Sequence, residues 1–380
     1  MITLGKKILF VGNKDSFFTY EFIKYVLLGE FAIDIANTGH INLTENRFDN
    51  FYNCNDIRIK ECGTASYKKF HRTRLMLSML KSFYNHTRMK SYDIVNIHYL
   101  ELLEYPYSKL PKNQLLVVTI YGSDILRATS FELSVKKKIF KRANAITIET
   151  EYLKNKFIEI YGNEFDKKIV KVGLGSSYID LMEKTLILLD KNKCKQENGL
   201  PVDKKIIFIG YNGSEAQQHL KVLKCIKDLS QEYKKKIFIV CHCSYGLDPE
   251  YENKIRKELS ESGIDGRLDK RYLMSEELVK FRFCCDIFLN MQTTDVLSSS
   301  MLEFMYCGST IIQGNWLIYE ELKNSHVYII KRIDDLAKKL QYVLNSKENS
   351  NDKAFDKKLA YDLMSWKNKR KEWLELLKPY

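Results

Sequence analysis

The sequence predicts an α/β protein of two facing Rossmann-like domains, each a parallel sheet covered by helices. Three observations carry this. Short β-rich runs alternate with longer helical patterns along nearly the whole chain. Several strand runs are continuous apolar stretches rather than alternating ones, which suits strands covered on both faces. The run KKILFVG at residues 6–12 returns as KKIIFIG at 204–210, suggesting two similar halves.

In chain order the strand candidates are Lys7–Val11, Ile94–His98, Leu115–Tyr121, Ala145–Glu149, Ile169–Val172, Lys205–Ile209, Ile237–Cys241, Ile287–Asn290, Thr310–Gln313 and Val327–Ile330. Helical patterns between them include Ser16–Leu28, Thr150–Tyr161, Gln217–Tyr233, Pro249–Ser262, Ser275–Cys285 and Ser300–Cys307. The alternation pauses at 181–203, where a helical stretch leads into polar DKNKCKQENGLPVD with Gly and Pro near its end. This divides the chain into a domain at 1–180, a linker at 181–203 and a domain at 204–360. A final helical pattern with two tryptophans, about 361–380, crosses back to the first domain.

Composition narrows the class. A hydrophobic fraction of 45% with 12% aromatics supports packed cores over 380 residues and excludes wholesale disorder. The excess of 61 basic over 48 acidic residues favours an anionic partner. Nine cysteines, several inside apolar runs, read as reduced core residues of a cytosolic protein. The Cys241-His-Cys243 pair has no second ligand pair at a finger-like spacing, and no Asp-x-Asp offers a divalent-ion site, so no metal is expected. The N-terminus lacks the features of a signal peptide, and no run approaches eighteen uninterrupted apolar residues.

In doubly wound sheets ligands bind outside the carboxyl ends of the strands, so chemistry is sought in the residues after each strand. The most informative segment is 287–316, IFLNMQTTDVLSSSMLEFMYCGSTIIQGNW. A strand ends at Asn290, a Thr/Asp/Ser-rich loop follows, and a helix starts near Ser300. The amides of Ser298, Ser299 and Ser300 make an anion site suited to a diphosphate. Glu303 can accept hydrogen bonds from a ribose diol, and Asp295 can hold hydroxyls of a sugar. A second reading stands beside this one: Ser300-Met-Leu-Glu303 is also a capping box that satisfies the helix's own amides.

This segment resembles the signature of family 4 and related glycosyltransferases of the glycosyltransferase-B fold. There an acidic residue, seven intervening positions, a Glu, a small-residue helix and a Gly precede a hydrophobic strand. The matching residues here are Asp295, VLSSSML, Glu303 and Gly308 before Thr310-Ile311-Ile312. Asp295 replaces the usual Glu, and serines replace the usual Gly-Phe-Gly loop. Val117–Asp124, VVTIYGSD, resembles the superfamily's strand and Gly-Ser/Thr-Asp turn, which implies a cleft position for Asp124. Its other reading is a cap for the helix starting at Ile125. Residues 143–162 and 206–223 also fall in the matching order. The usual Arg and Lys that neutralise the donor diphosphate have no counterpart; Tyr211, Gln218 and His219 lie near those positions. The run GYNGS…QHL, with Asn212 and Gly213, together with Tyr245-Gly246, is similar to the 4-acetamido-4,6-dideoxygalactose transferases of enterobacterial antigen synthesis.

The charge of a departing nucleoside diphosphate must be stabilised, and Arg271, Lys270 and His219 are the candidates beside the serine amides. In the first half, His98 ends a strand as a cleft residue, or as a hydrogen-bonded histidine of the fold. Gly12-Asn13 form a glycine turn after the first strand, on the acceptor side. Val172-Gly-Leu-Gly-Ser-Ser177 carries two glycines but precedes no clear nucleotide-binding helix. Residues 67–90 hold seven Lys/Arg and no acidic residue around the apolar Leu75–Leu80. They read as a basic amphipathic helix for an anionic membrane surface, or as a helix with one core face and one solvated face. No nucleic-acid module accompanies them.

The resemblance implies an acceptor-binding first domain and a second domain that binds a nucleotide sugar, the donor, with no cofactor and no metal. The expected reaction moves a sugar to a glycan or lipid-linked acceptor in bacterial surface-polysaccharide synthesis. It takes place in the cytoplasm, at the inner face of the cytoplasmic membrane. Retention of configuration is favoured; inversion would need Asp124 or His98 as base. The rival readings are a nucleotide-sugar 2-epimerase of the same fold and a non-catalytic scaffold or binding protein.

Overall fold

The computed structural model describes residues 5–39, 46–62, 92–347 and 349–378. The basic stretch 67–90, with its expected membrane-facing helix, lies outside them. The chain forms two compact units, Met1–Gly175 with Trp366–Tyr380, and Ser176–Ser365.

The first unit is a seven-stranded parallel sheet in the order β3-β2-β1-β4-β5-β6-β7. Its strands are β1 (Lys7–Gly12), β2 (Ala32–Asn37), β3 (Arg58–Glu61), β4 (Ile94–His98), β5 (Leu115–Ile120), β6 (Ala145–Ile148) and β7 (Ile169–Lys171). The second is a six-stranded parallel sheet, β10-β9-β8-β11-β12-β13. Its strands are β8 (Lys205–Ile209), β9 (Ile237–His242), β10 (Gly266–Asp269), β11 (Ile287–Asn290), β12 (Thr310–Gly314) and β13 (Tyr328–Ile330). Both sheets are therefore Rossmann-like, and each reverses its strand order once, between β1 and β4 and between β8 and β11.

All ten expected strands are present, and β2, β3 and β10 are additional. The edge strands β3 and β10 read RIKE and GRLD; their charged, half-exposed side chains protect an open edge and hide the strand from hydrophobic patterning.

Residues 181–203 are not a spacer between units. They contain the helix Lys191–Glu197, which places Cys194 and Leu200 in the second unit's core. Lys195 Nζ lies 2.9 Å from the Asp286 carboxylate ahead of β11. The division falls instead at Gly175/Ser176 and again at Ser365/Trp366.

In the first unit, the helix Trp366–Leu377 completes a core that the preceding strands leave open. Trp373 Nε1 donates to the Gly173 carbonyl at 2.9 Å, and Trp366 Nε1 donates to Glu21 at 3.2 Å. A Cβ on Gly175 would lie 2.4 Å from the Trp366 ring, and one on Gly173 would lie 2.5 Å from a Glu149 oxygen. The Gly-Leu-Gly run thus serves close packing, although a helix, Ser177–Thr185, does follow it.

In the second unit alternate residues of β8, β9, β11 and β12 enter separate cores, which explains their continuous apolar runs. Phe208 and Phe288 face one side with Phe281 and Phe304. Ile207, Ile209 and Leu289 face the other with the helix His219–Ile226. Phe304 stacks on Phe288 at 4.3 Å and meets Phe208 at 5.2 Å, while Phe281 meets Phe208 at 4.8 Å. These aromatic contacts hold the helices Ser275–Phe283 and Ser299–Tyr306 together on one face of the sheet.

Candidate functional site

The order reversal of the second sheet gathers the loops after β8 and β11. Gly210 turns out of β8 with φ of +66°, and a Cβ there would lie 2.9 Å from both Gln217 Oε1 and His219 Nε2. Tyr211 and Gln217, from this loop, donate to Gln292 Oε1 at 3.3 and 3.2 Å. Gln292 Nε2 in turn donates to Asp295 Oδ2 at 2.7 Å, and the Tyr319 hydroxyl donates to the same oxygen at 2.8 Å. Asp295 is thus held at the centre of a polar network spanning three loops. Burial pushes its carboxyl above the usual carboxylate range, against the pull of the Tyr319 hydroxyl and the Val296 amide.

The helix after this loop is Ser299–Tyr306, capped by the Ser298 side chain, which accepts from Met301 N at 3.2 Å. The Ser300–Glu303 capping box does not form. Glu303 is buried and spends its carboxylate on side chains: the Ser176 hydroxyl donates to Oε1 at 2.8 Å, and the Arg282 guanidinium pairs with Oε2. Arg282 comes from the end of the helix Ser275–Phe283. Its Nη2 donates to Ser300 Oγ at 3.2 Å, and its charged plane lies 5.5 Å from the Phe304 ring and 5.8 Å from the Tyr178 ring. At 7% exposure, burial lowers its pKa to about 10, which still leaves it charged. Sequence reasoning missed Arg282. In VKFRFCC it is one basic residue in an amphipathic pattern, and only the adjacency of two helices reveals its partner.

Of the other expected donor residues, Asn212, Gly213 and Tyr245 come together. Gly213 N donates to the Tyr245 carbonyl at 2.7 Å, and Asn212 Nδ2 donates to the Tyr245 hydroxyl at 3.3 Å. The expected cations are engaged elsewhere. Arg271 forks onto Asp269 with bonds of 3.0 and 2.8 Å, and Lys270 pairs with Glu252 at 3.1 Å. His219 is enclosed beside Tyr251 and Cys243, and burial lowers its pKa to about 4, so it is neutral. Arg271 and Lys270 are thus half-exposed partners of Asp269 and Glu252, and His219 carries no charge.

In the first unit, the carboxyl ends of β4 and β5 carry His98 and the loop of Asp124. His98 is packed among Phe10, Phe22 and Trp373 and shares a 2.9 Å hydrogen bond with the Tyr121 hydroxyl. Burial lowers its pKa to about 3. Asp124 is buried, and its carboxylate accepts from the amides of Leu100 at 3.2 Å, Tyr121 at 3.1 Å and Gly122 at 2.8 Å. It ties the loop after β4 to the loop after β5, which is more than the helix cap expected as its alternative. Burial raises its pKa to about 6. Gly12 lies close against Phe10, and Asn13 Oδ1 accepts from Asp15 N at 3.0 Å, so both shape the loop after β1. All nine cysteines are free thiols. Among the described residues no group of His, Cys, Asp or Glu is placed to hold a metal ion, and no helix is long and apolar enough to cross a membrane.

Comparison with known proteins agrees with this architecture. A glycosyltransferase from Rickettsia africae superposes with a TM-score of 0.73 at 15% identity, over 98% of each chain. Anabaena HepE in complex with UDP gives 0.73 at 11% identity, over 98% of this chain and all of that one. The chain has the glycosyltransferase-B fold. Within this fold, residues 7–150 of the first unit match the family described as glycosyl transferase 4-like. An uncharacterized glycosyltransferase of Methanocaldococcus jannaschii is 25% identical over 228 residues, covering 56% of this chain. The match spans about half of that relative's length, 53%. A sucrose-phosphate synthase from Thermosynechococcus elongatus superposes at 0.68 with 11% identity, over 98% of each chain.

Proposed function

We propose that this chain is a glycosyltransferase that takes its sugar from a nucleotide-sugar donor bound on the second unit. The observation that carries this reading is the gathering of Asp295, the Ser299–Tyr306 helix start and Glu303 where the strand order reverses. In the proposed complex the diphosphate meets the amides of Ser299 and Ser300, Glu303 accepts from the ribose diol, and Asp295 accepts from hydroxyls of the donor sugar. The glycosyl transferase 4-like match and the UDP complex of HepE support the choice of ligand.

The finer reading follows the same line. The acceptor is a glycan or lipid-linked sugar, received by the first unit at the loops that Gly12, Asn13 and Asp124 shape, in surface-polysaccharide synthesis beside an anionic membrane. Transfer proceeds without a metal and with retention of configuration. The enclosure of both candidate bases, Asp124 and His98, favours retention, because inversion needs a base that can reach the acceptor hydroxyl.

The test is thermal unfolding of the full chain against nucleotide sugars and their nucleoside diphosphates. One of them raises the apparent midpoint with its concentration, since a ligand at a hundred times its Kd adds about 2.7 kcal/mol. No shift with any of them overturns the reading.

A further inference from the structure

The Arg282–Glu303 pair is more than packing requires. Taking two charges out of water costs several kcal/mol per ion, and such a pair seldom outperforms well-packed apolar residues of the same volume. Arg282 is also incompletely used. Its Nε makes no hydrogen bond, while Nη2 reaches Ser300 in the first helical turn. There the amides of Ser299 and Ser300 precede the first intrahelical bond, from Leu302 N to the Ser298 carbonyl at 3.1 Å. A diphosphate at this turn brings about two negative charges, which two amides alone do not balance.

Neighbouring and buried cations of the second unit make their contacts away from this turn. Arg271 and Lys270 are held by Asp269 and Glu252. The buried Lys195 is paired with Asp286 ahead of β11, and the buried Lys234 donates to the Ser262 carbonyl. His219 is neutral. Arg282 alone among these touches the turn where the donor's phosphates would lie.

We propose that Arg282 is the cation for the donor diphosphate, and that its pairing with Glu303 is the ligand-free half of an exchange. When a nucleotide sugar enters, the ribose diol replaces the guanidinium on Glu303, and the diphosphate replaces the carboxylate on Arg282. Each buried charge keeps a partner throughout, so entry of the donor strands neither. The pair also selects its ligand: a nucleoside without phosphates frees Arg282 from Glu303 and offers it nothing. This assignment rests on the glycosyltransferase reading above.

The experiment is calorimetric titration of the full chain with UDP, ADP and GDP, each beside its nucleoside. For the base that binds, the quantity of interest is the affinity advantage of diphosphate over nucleoside. In Glu303→Gln, which keeps a hydrogen-bonding side chain for the ribose, Arg282 loses its competitor and the advantage rises at least threefold. In Arg282→Met/Glu303→Gln, with no charge left unpaired, it falls at least tenfold below that of Glu303→Gln. The same advantage in both variants makes Arg282 only a structural counter-ion and overturns the proposal. Should the double variant fail to fold, the absence of any rise in Glu303→Gln overturns it equally. A wild-type chain that binds none of the three diphosphates overturns the donor-site reading as well.

Discussion

The two units share one strand order yet treat the point of order reversal differently. In the first, three backbone amides hold Asp124, while His98 is packed among aromatic rings and makes one hydrogen bond, to the Tyr121 hydroxyl. In the second, Asp295, Glu303 and Arg282 are satisfied almost wholly by other side chains. A carboxylate held by backbone fixes the path of a loop and has little left to offer. One held by side chains can exchange its partner, because a rotamer change costs less than a remodelled chain. The same topology thus yields a loop braced by backbone in one unit and a polar cluster held by side chains in the other.

The sharpest way to break this contrast is to strand one charge. Arg282→Met leaves Glu303 buried and unpaired, and urea unfolding of the second unit should lose roughly 3–5 kcal/mol. Arg282→Met/Glu303→Met should recover most of that loss. A single variant as stable as wild type would show that the pair is not a buried charge pair at all.

Acid unfolding tests the first unit. The folded pKa of His98, about 3, lies below its ordinary 6.5, so its contribution is present above 6.5 and is lost as pH falls toward 3. That of Asp124, about 6, lies above its ordinary 3.8, so its contribution is present below 3.8 and is lost as pH rises through 6. The two oppose each other between about pH 4 and 6. Asp124→Asn removes the term that favours the acid form, and acid unfolding of this unit should move to higher pH. Intrinsic fluorescence, to which Trp366 and Trp373 contribute, follows it; an unmoved midpoint would deny Asp124 its buried role.

The smallest effect concerns the helix start. Ser298→Ala should cost about 1 kcal/mol, as loss of an N-cap does, and Ser300→Ala much less. Equal costs would place the cap elsewhere in the serine run.

Much of this was legible in the sequence. Continuous apolar runs marked the covered strands, and their recurrence marked the two halves. The edge strands β3 and β10 were not legible, because their charged residues, RIKE and GRLD, break any apolar run, whereas the apolar edge strands β7 and β13 were found. The segment from Asp295 to Glu303 was found, but three consecutive serines left the helix start ambiguous by two residues. That ambiguity left open whether Glu303 caps the helix, which the Ser298 cap rules out. The Arg282–Glu303 pair was beyond sequence reasoning, since it joins two helices whose packing the hydrophobic pattern does not show; Arg271, by contrast, pairs with Asp269 only two residues away, a local partner that could have been read from the sequence.

The helix Trp366–Leu377 carries a consequence for biosynthesis. The first unit's core needs Trp366 and Trp373, yet the ribosome delivers them only after the whole second unit. The amino-terminal strands must therefore wait with an open hydrophobic cavity while the second unit is made and folds. A chain that stops early keeps that cavity exposed, which makes it a substrate for chaperones and proteases. Folding of the first unit therefore waits on synthesis through Leu377.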